Sequence, residues 1–422
     1  MKERTELTPL EKTRNVLDIS TTERSTFKQC RRRWELEVLE NLTPRIPPTF
    51  ELEFGSGIHQ ALESYYISVA NIPHHEQNKD PEAYDYPLRN ALWKWDEWYD
   101  ETERKYAEDT SYDSTTRELA LDNLVELADL GEKVLRSYDQ FSDEHDDFTI
   151  HAVEGLLMGG GKAWLAKHDA EREFKSNGTQ NGVVYDAKAR RLLVPILHPK
   201  TQRVLPDMPV LSARIDLLCH RIDPGMKGLW VYDHKTSSSM PNDRGMDFDD
   251  QVTAYLYVVY RWLGIVPRGF CFNYLMKQVP KEPRILQSGK LSTAKDQLTT
   301  ADMYYEEMKA HGLVRKDGTI KSHEHDATYQ ALQSYGWDRF FIRHYATRNK
   351  VELVNFERRL YEEWQDMMDC WEGDLELYPN MSKFWCPRCS VGPICQAIED
   401  GSDWKAVMET RYDQRPDRKA AP

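Results

Sequence analysis

No apolar run in this chain reaches membrane-spanning length, so no helix is expected to cross a bilayer. The opening stretch, MKERTELTPLEKTRNVLDIS, has no apolar h-region, and no secretory leader is read there. A cytoplasmic protein is expected, and in that setting the seven cysteines are better metal ligands than disulfide partners. Basic charge is scarce: 56 Lys and Arg stand against 70 Asp and Glu, a net charge of −14. That balance excludes indiscriminate adhesion to polyanions and leaves room only for a narrow positive channel, with basic clusters at Lys28–Arg33 and Arg339–Lys350. A phosphate loop is missing too. Gly159-Gly160-Gly161-Lys162 has the wrong spacing from Gly155, and Ala163 stands where Ser or Thr is required, so a β-turn is expected. No internal repeat is found.

What is present suits a packed globular protein: 40% of residues are hydrophobic and 11% aromatic over 422 residues, enough for one elaborated core or two to three domains. Residues 1–70 form an N-terminal helical segment, with apolar positions Phe27, Trp34, Leu36 and Leu39 between Ser20 and Asn41. A second helix over Phe54–Val69 is expected to open at a Gly55-Ser56-Gly57 turn. Residues 71–147 read as an acidic helical insertion in which Trp93, Trp95 and Trp98 pack closely. Residues 148–280 hold the β signal, with strands at 148–158, 183–197, 210–221, 228–236 and 268–277 and a helix over Asp247–Leu263. Residues 281–380 return to helix and loop, and 381–422 comprise a cysteine knuckle and a disordered tail from about Ser402.

Cys386, Cys389 and Cys395 form a C-x2-C-x5-C knuckle, three soft ligands where a tetrahedral metal or a cubane cluster needs four. Cys30 can supply the fourth and clasp the two ends of the chain, and Cys370 is the rival for that place. Zinc is the default for a short C-x2-C, yet the second C-x2-C or His pair of a zinc ribbon is absent. Cys219, Cys271 and, as its first reading, Cys370 are expected to be small buried hydrophobes.

Asp233-His234-Lys235 ends the apolar run LWVY, and strand alternation puts Asp233 and Lys235 on one face and His234 on the other. Asp216 closes VLSARID, a candidate neighbouring antiparallel strand, so two carboxylates can converge on a point suited to Mg²⁺ or Mn²⁺. His59 and Glu63 share a helix face, and an imidazole there can add a nitrogen ligand that favours Mn²⁺. Gln251 and Tyr255 share another.

Taken in order, STTERSTFKQCRRRW at Ser20–Trp34, G-x-H at Gly57–His59, Asp216, D-H-K at Asp233–Lys235, Q-x3-Y at Gln251–Tyr255 and the knuckle resemble the RecB/AddB-like nucleases of the PD-(D/E)xK superfamily. The resemblance is to their iron–sulfur subgroup, which includes the CRISPR-associated four-cysteine exonucleases and stand-alone phage relatives. It implies an α/β fold, a restriction-endonuclease-like mixed central sheet flanked by helices, with helical insertions and an iron–sulfur clasp joining the N- and C-terminal segments. It implies that His59, Asp216, Asp233 and the backbone carbonyl of His234 hold Mg²⁺ or Mn²⁺. Asp216, Asp233, Lys235, Gln251 and Tyr255 would be the catalytic set, with Lys235 orienting or helping to deprotonate the attacking water. Cys30, Cys386, Cys389 and Cys395 would hold a 4Fe–4S cluster, with Zn²⁺ the alternative. Arg31, Arg32 and Arg33 are candidate DNA contacts.

The expected activity is hydrolysis of DNA from single-stranded ends, 5′→3′ in preference, in recombination, repair or phage DNA processing inside a bacterial or phage-infected cell. No helicase motif is present, so a separate helicase or recombination protein is the expected partner. Two other readings stand beside it: a non-catalytic DNA-binding or recombination-scaffold subunit, and a zinc-stabilised interaction protein. Ala213-Arg214-Ile215 stands before Asp216 where the family often has Gly, and Asp233 replaces the commoner Glu.

Overall fold

The structure, a computed structural model, describes residues 18–45, 50–71, 81–109, 113–158, 179–180, 182–201, 209–241 and 243–414. The Gly159–Lys162 stretch lies outside them. Strand β1 (Asp18–Ser20) leads into α1 (Thr21–Gln29), α2 (Arg31–Trp34), a π-helical turn over Glu35–Leu39 and β2 (Leu42–Pro44). Three long helices follow: α3 (Phe50–Asn71), α4 (Pro81–Glu108) and α5 (Ser114–His145). The strand-rich stretch comprises β3 (Phe148–Val153), β4 (Leu156–Leu157), β5 (Thr179–Gln180), β6 (Val183–Asp186), β7 (Arg191–Pro195), β8 (Val210–Ala213), β9 (Leu217–Arg221) and β10 (Gly228–Ser237). Helix α6 (Asp250–Leu263) precedes β11 (Gly269–Met276). Then come α7 (Ala301–Ala310), α8 (His323–Tyr335), β12 (Phe341–Ala346), α9 (Lys350–Glu372), α10 (Gly392–Asp400), α11 (Trp404–Arg411) and β13 (Tyr412–Gln414).

The main sheet has six strands in the order β12-β11-β10-β9-β3-β4, and β10 and β11 run parallel while the other pairs are antiparallel. The parallel step is possible because α6 supplies the crossover. A second sheet, β1-β8-β7-β6-β5, stands beside it. The period-two pattern of β10 sorts its side chains between two cores. Leu229 and Val231 join α6 and α9, whereas Trp230 and Tyr232 join α3 and α5. This is the mixed α/β architecture, helices on both faces of a mixed sheet, that the sequence implied.

The ends of α6 are set locally. The Asp249 carboxylate caps it by accepting from the Gln251 and Val252 amides, and Gly264 in the left-handed conformation stops it. Several expectations change. The single helix over Ser20–Asn41 breaks at Cys30, whose backbone is extended. The Gly55–Gly57 turn is the interior of α3: a Cβ on Gly57 would stand 2.5 Å from the Trp95 ring and 2.6 Å from that of Trp98. Glycine is there to let two helices touch, not to turn the chain. Trp95 and Trp98 pack as expected, but Trp93 is exposed.

Residues 71–147 share one core with the sheet rather than standing apart. The runs 148–158, 183–197 and 210–221 each split into two strands, the last because the chain bends at Arg214–Asp216. Within 281–380 an unforeseen strand, β12, forms the sheet edge. The tail from Ser402, expected to be disordered, is ordered to Gln414: α11 leads into β13, which pairs with β2.

Candidate active site at the carboxylate end of the sheet

The β9–β10 ladder ends with Leu217 opposite Tyr232, which makes Asp216 and Asp233 the next positions on two adjacent strands. Both are buried, at 8% and 2% exposure. The bend before β9 turns the Asp216 carboxylate back onto β10, where Oδ2 accepts from the His234 amide at 2.8 Å. From the helical side, His59 on α3 brings Nδ1 to 3.3 Å from the same oxygen. On the other face the Lys235 ammonium lies 2.6 Å from Asp233 Oδ2. Gln251, in the first turn of α6, donates from Nε2 to Asp233 Oδ1 at 3.3 Å. One turn on, Tyr255 is buried with its phenol in reach of Gln251 and Thr21. Residues far apart in sequence thus meet at one end of one ladder.

Electrostatics follow from burial. Asp233 is pushed up to about 6 by desolvation, with Lys235 pulling it down and Asp216 pushing it further up. Burial works against the Lys235 ammonium, but Asp233 beside it raises its pKa overall, so it is a cation. Burial and the two aspartates hold the Tyr255 phenol protonated. His234 is driven down to about 3 by burial. Its neutral ring stacks on Tyr66 at 5.4 Å, and Nδ1 faces the Asn273 amide nitrogen at 2.9 Å. The His234 side chain therefore fixes β10 to the helical layer, while its backbone serves the site.

Glu63 does not join; it pairs with Arg190 on the β6–β7 turn. A carboxylate that the sequence reading missed does join. Glu154, 6% exposed on the turn between β3 and β4 with φ of 48°, donates its amide to the Asp216 carbonyl at 3.0 Å and sits 3.1 Å from Arg214. Burial, then repulsion from Asp216, pushes it up to about 8. The available signal was the run FTIHAV ending in Glu-Gly.

Among the described residues, no set of three or more His, Cys, Asp or Glu side chains is gathered so as to hold a metal ion by itself. The donor chemistry nevertheless fits a hard divalent cation. Asp233 Oδ2 and Glu154 Oε2 are buried carboxylate oxygens, met by Lys235 at 2.6 Å and Arg214 at 3.1 Å, and carboxylate oxygens are the ligands such ions take.

The chain matches the PD-(D/E)XK nuclease superfamily over residues 18–396. It therefore belongs to that superfamily. Its members are nucleases that hydrolyse phosphodiester bonds of DNA and typically use divalent metals such as Mg²⁺. No curated protein matches the chain.

The other candidate centre lies where the chain ends meet. Leu36, Leu42, Val391, Ile394 and Tyr412 form a small core against which Cys389 and Cys395 pack. Cys30 ends α1 and accepts from the Asn380 amide at 3.3 Å, while Cys386 accepts from the Ser382 amide at 3.2 Å. Burial raises the Cys389 thiol, and burial pushes that of Cys395 up to about 11. The nearby Cys30 adds to both shifts, while Arg33 and Arg32 respectively oppose them. Cys370 is buried in the main core, where its charged neighbours are Arg31, Asp366, Asp369 and Glu35. Arg31, Arg32 and Arg33 are ion-paired to Asp366, Glu35 and Glu37. Among the described residues, no helix is long and apolar enough to cross a membrane.

Proposed function

We propose that the protein is a divalent-cation-dependent deoxyribonuclease that removes nucleotides from single-stranded DNA ends. The observation that carries this reading is the placement of Asp216 and Asp233 side by side at the ladder end, with Lys235 2.6 Å from Asp233. His59, Asp216, Asp233 and the His234 carbonyl would hold Mg²⁺ or Mn²⁺. When bound, the ion supplies Lewis acidity to the phosphate and to water.

The chain's own groups do the rest. The His234 amide and Gln251 fix the two aspartates, so their oxygens need no rearrangement when DNA arrives. Lys235, a cation, orients the attacking water and stabilises negative charge growing on the phosphate. Tyr255, held protonated, lies within hydrogen-bonding reach of Gln251 and braces it. Joined chain ends favour free DNA termini over internal sites, and the 5′→3′ preference rests on the resemblance alone. Cys30, Cys386, Cys389 and Cys395 are proposed to hold a 4Fe–4S cluster of structural role. The reading draws support from backbone amides donating to two of the sulfurs.

The deciding experiment is digestion of end-labelled single-stranded, blunt duplex and closed circular DNA with Mg²⁺, Mn²⁺ or chelator. Loss of linear single strands but not circles, abolished by Asp233→Ala and by Lys235→Ala, is expected. Undiminished cleavage by either variant overturns the assignment. Anaerobic purification gives a brown protein for iron–sulfur and a colourless one for zinc.

A further inference from the structure

Most of the basic side chains in the clusters that stand out in the sequence are engaged internally. Arg31–Arg33 face acids, Arg343 pairs with Asp146, and Arg348 donates to the Met246 carbonyl and to Thr253 Oγ1. Less engaged positive charge lies in residues 281–295, where Lys281, Arg284, Lys290 and Lys295 stand against Glu282, with Asp296 following. Lys281, Arg284, Lys290 and Lys295 are exposed and make no ion pair among the described residues. In a chain of net charge −14, cations left without acids call for an anionic partner.

These cations surround a rigid projection. Arg284–Ser292 is a hairpin: Ile285 pairs with Leu291, and the Ser292 amide donates to the Arg284 carbonyl at 2.9 Å. Its tip closes with Gly289 donating to Leu286 at 2.8 Å and Leu286 donating to Lys290 at 2.8 Å. Gly289 sits at φ of 75°, the left-handed residue of a bulged three-residue turn. The root is locked by Gln297, which is 3% exposed. Its side chain accepts from the Arg284 amide at 2.7 Å and donates to the Ser292 and Ala294 carbonyls. Leu291 anchors one leg against Tyr304, Met308 and Leu332. Against this ordered base, Ile285 and Leu286, on the leg that enters the Gln287–Gly289 turn, are 45% and 46% exposed. These side chains offer apolar surface that the face of a base pair can meet.

The segment that leads into the hairpin starts beside the candidate active site. Strands β10 and β11 are parallel, with Lys235 opposite Tyr274, so the segment after β11 leaves from the edge that bears Lys235. Lys277 donates its amide to the Ser237 carbonyl at 2.8 Å, and its ammonium lies over the Phe54 ring on α3, the helix that carries His59.

We propose that this hairpin is a wedge for double-stranded DNA ends. Ile285 and Leu286 press against the terminal base pair, and Lys281, Arg284, Lys290 and Lys295 hold the flanking phosphates, so that one strand is freed toward Asp216 and Asp233. The proposal deepens and rests on the nuclease reading above: it adds duplex ends as a substrate class and separates strand opening from hydrolysis.

The test compares the full-length protein with an Ile285→Asp/Leu286→Asp double variant, whose changes lie in exposed positions. The probes are one labelled DNA strand, alone and annealed into a blunt duplex. The variant is expected to digest the duplex about tenfold more slowly while digesting the free strand at the original rate. In an Asp233→Asn background, a fluorescent adenine analogue in the terminal pair should brighten on binding with the native tip and stay quenched with the altered one. Replacing Lys290 and Lys295 by Ala should flatten the salt dependence of duplex binding. Equal slowing of both substrates, no slowing of either, or a wild-type protein that leaves blunt ends intact and quenched overturns the wedge. If the wild type digests neither probe, the nuclease reading fails instead, and the fluorescence alone decides whether the hairpin opens ends.

Discussion

The carboxylate site and the cysteine seam are built by opposite means. Asp216, Asp233 and Lys235 are placed by strand register in the middle of a six-stranded sheet, and the two aspartates are almost fully buried. The thiols sit at helix ends and in a loop, with Cys386 exposed and Cys30, Cys389 and Cys395 half-buried around a small core. A site set into a ladder is completed by the folding of the sheet, so a substitution there can remove chemistry without removing structure. A seam between chain ends has few contacts of its own, and whatever the sulfurs bind becomes part of its folding energy.

The strongest way to break this contrast is at Asp233. Asp233→Asn and Lys235→Ala should each lower Mg²⁺-dependent cleavage of labelled DNA by roughly a thousandfold or more while leaving the melting temperature near its original value. A large fall in melting temperature would show that the ladder, too, depends on its chemistry. Next in size is Cys395→Ser, which should bleach any visible chromophore and lower the melting temperature by about 5–10 °C. It should also open the 402–414 segment to limited proteolysis before the sheet unfolds. Gly57→Ala sharpens the contrast from the helical side. With Trp95 and Trp98 in the way, it should cost about 1–3 kcal/mol in denaturant titration and loosen His59 with it.

The smallest effect is expected at Asp250. Burial works to raise its pKa, but Arg24, Lys28 and Arg359 hold it below the ordinary 3.8. A depressed carboxylate contributes stability above its unfolded value and loses it as the pH falls through the folded one. Asp250→Asn should therefore cost about 1–2 kcal/mol at neutral pH, and the difference should close in acid.

Much of the carboxylate site was legible because strand periodicity and residue chemistry coincide there. The run LWVYDHK fixes which side chains share a face, and VLSARID places its acid beside them once the strands pair. Glu154 was missed because its part depends on a left-handed backbone bend that brings its amide to Asp216, which no spacing announces. The strand β12 was hidden by its composition: FIRHYA lies on a sheet edge, where charged and polar residues are tolerated. The Gly55–Gly57 pair misled because a glycine that admits a neighbouring tryptophan looks, in sequence, like one that turns a chain. The ordered tail depends on partners near residue 42, beyond the reach of any local pattern.

Helix α1 spans the distance between the two regions. Thr21 at its start lies against Tyr255, Arg24 and Lys28 grip Asp250 beside Gln251, and Cys30 closes its far end. It is a strut nine residues long, about 13 Å. Oxidative damage at the seam would be transmitted along that strut to the braces of the aspartates, so an inactive cysteine mutant would be no proof that sulfur takes part in cutting DNA.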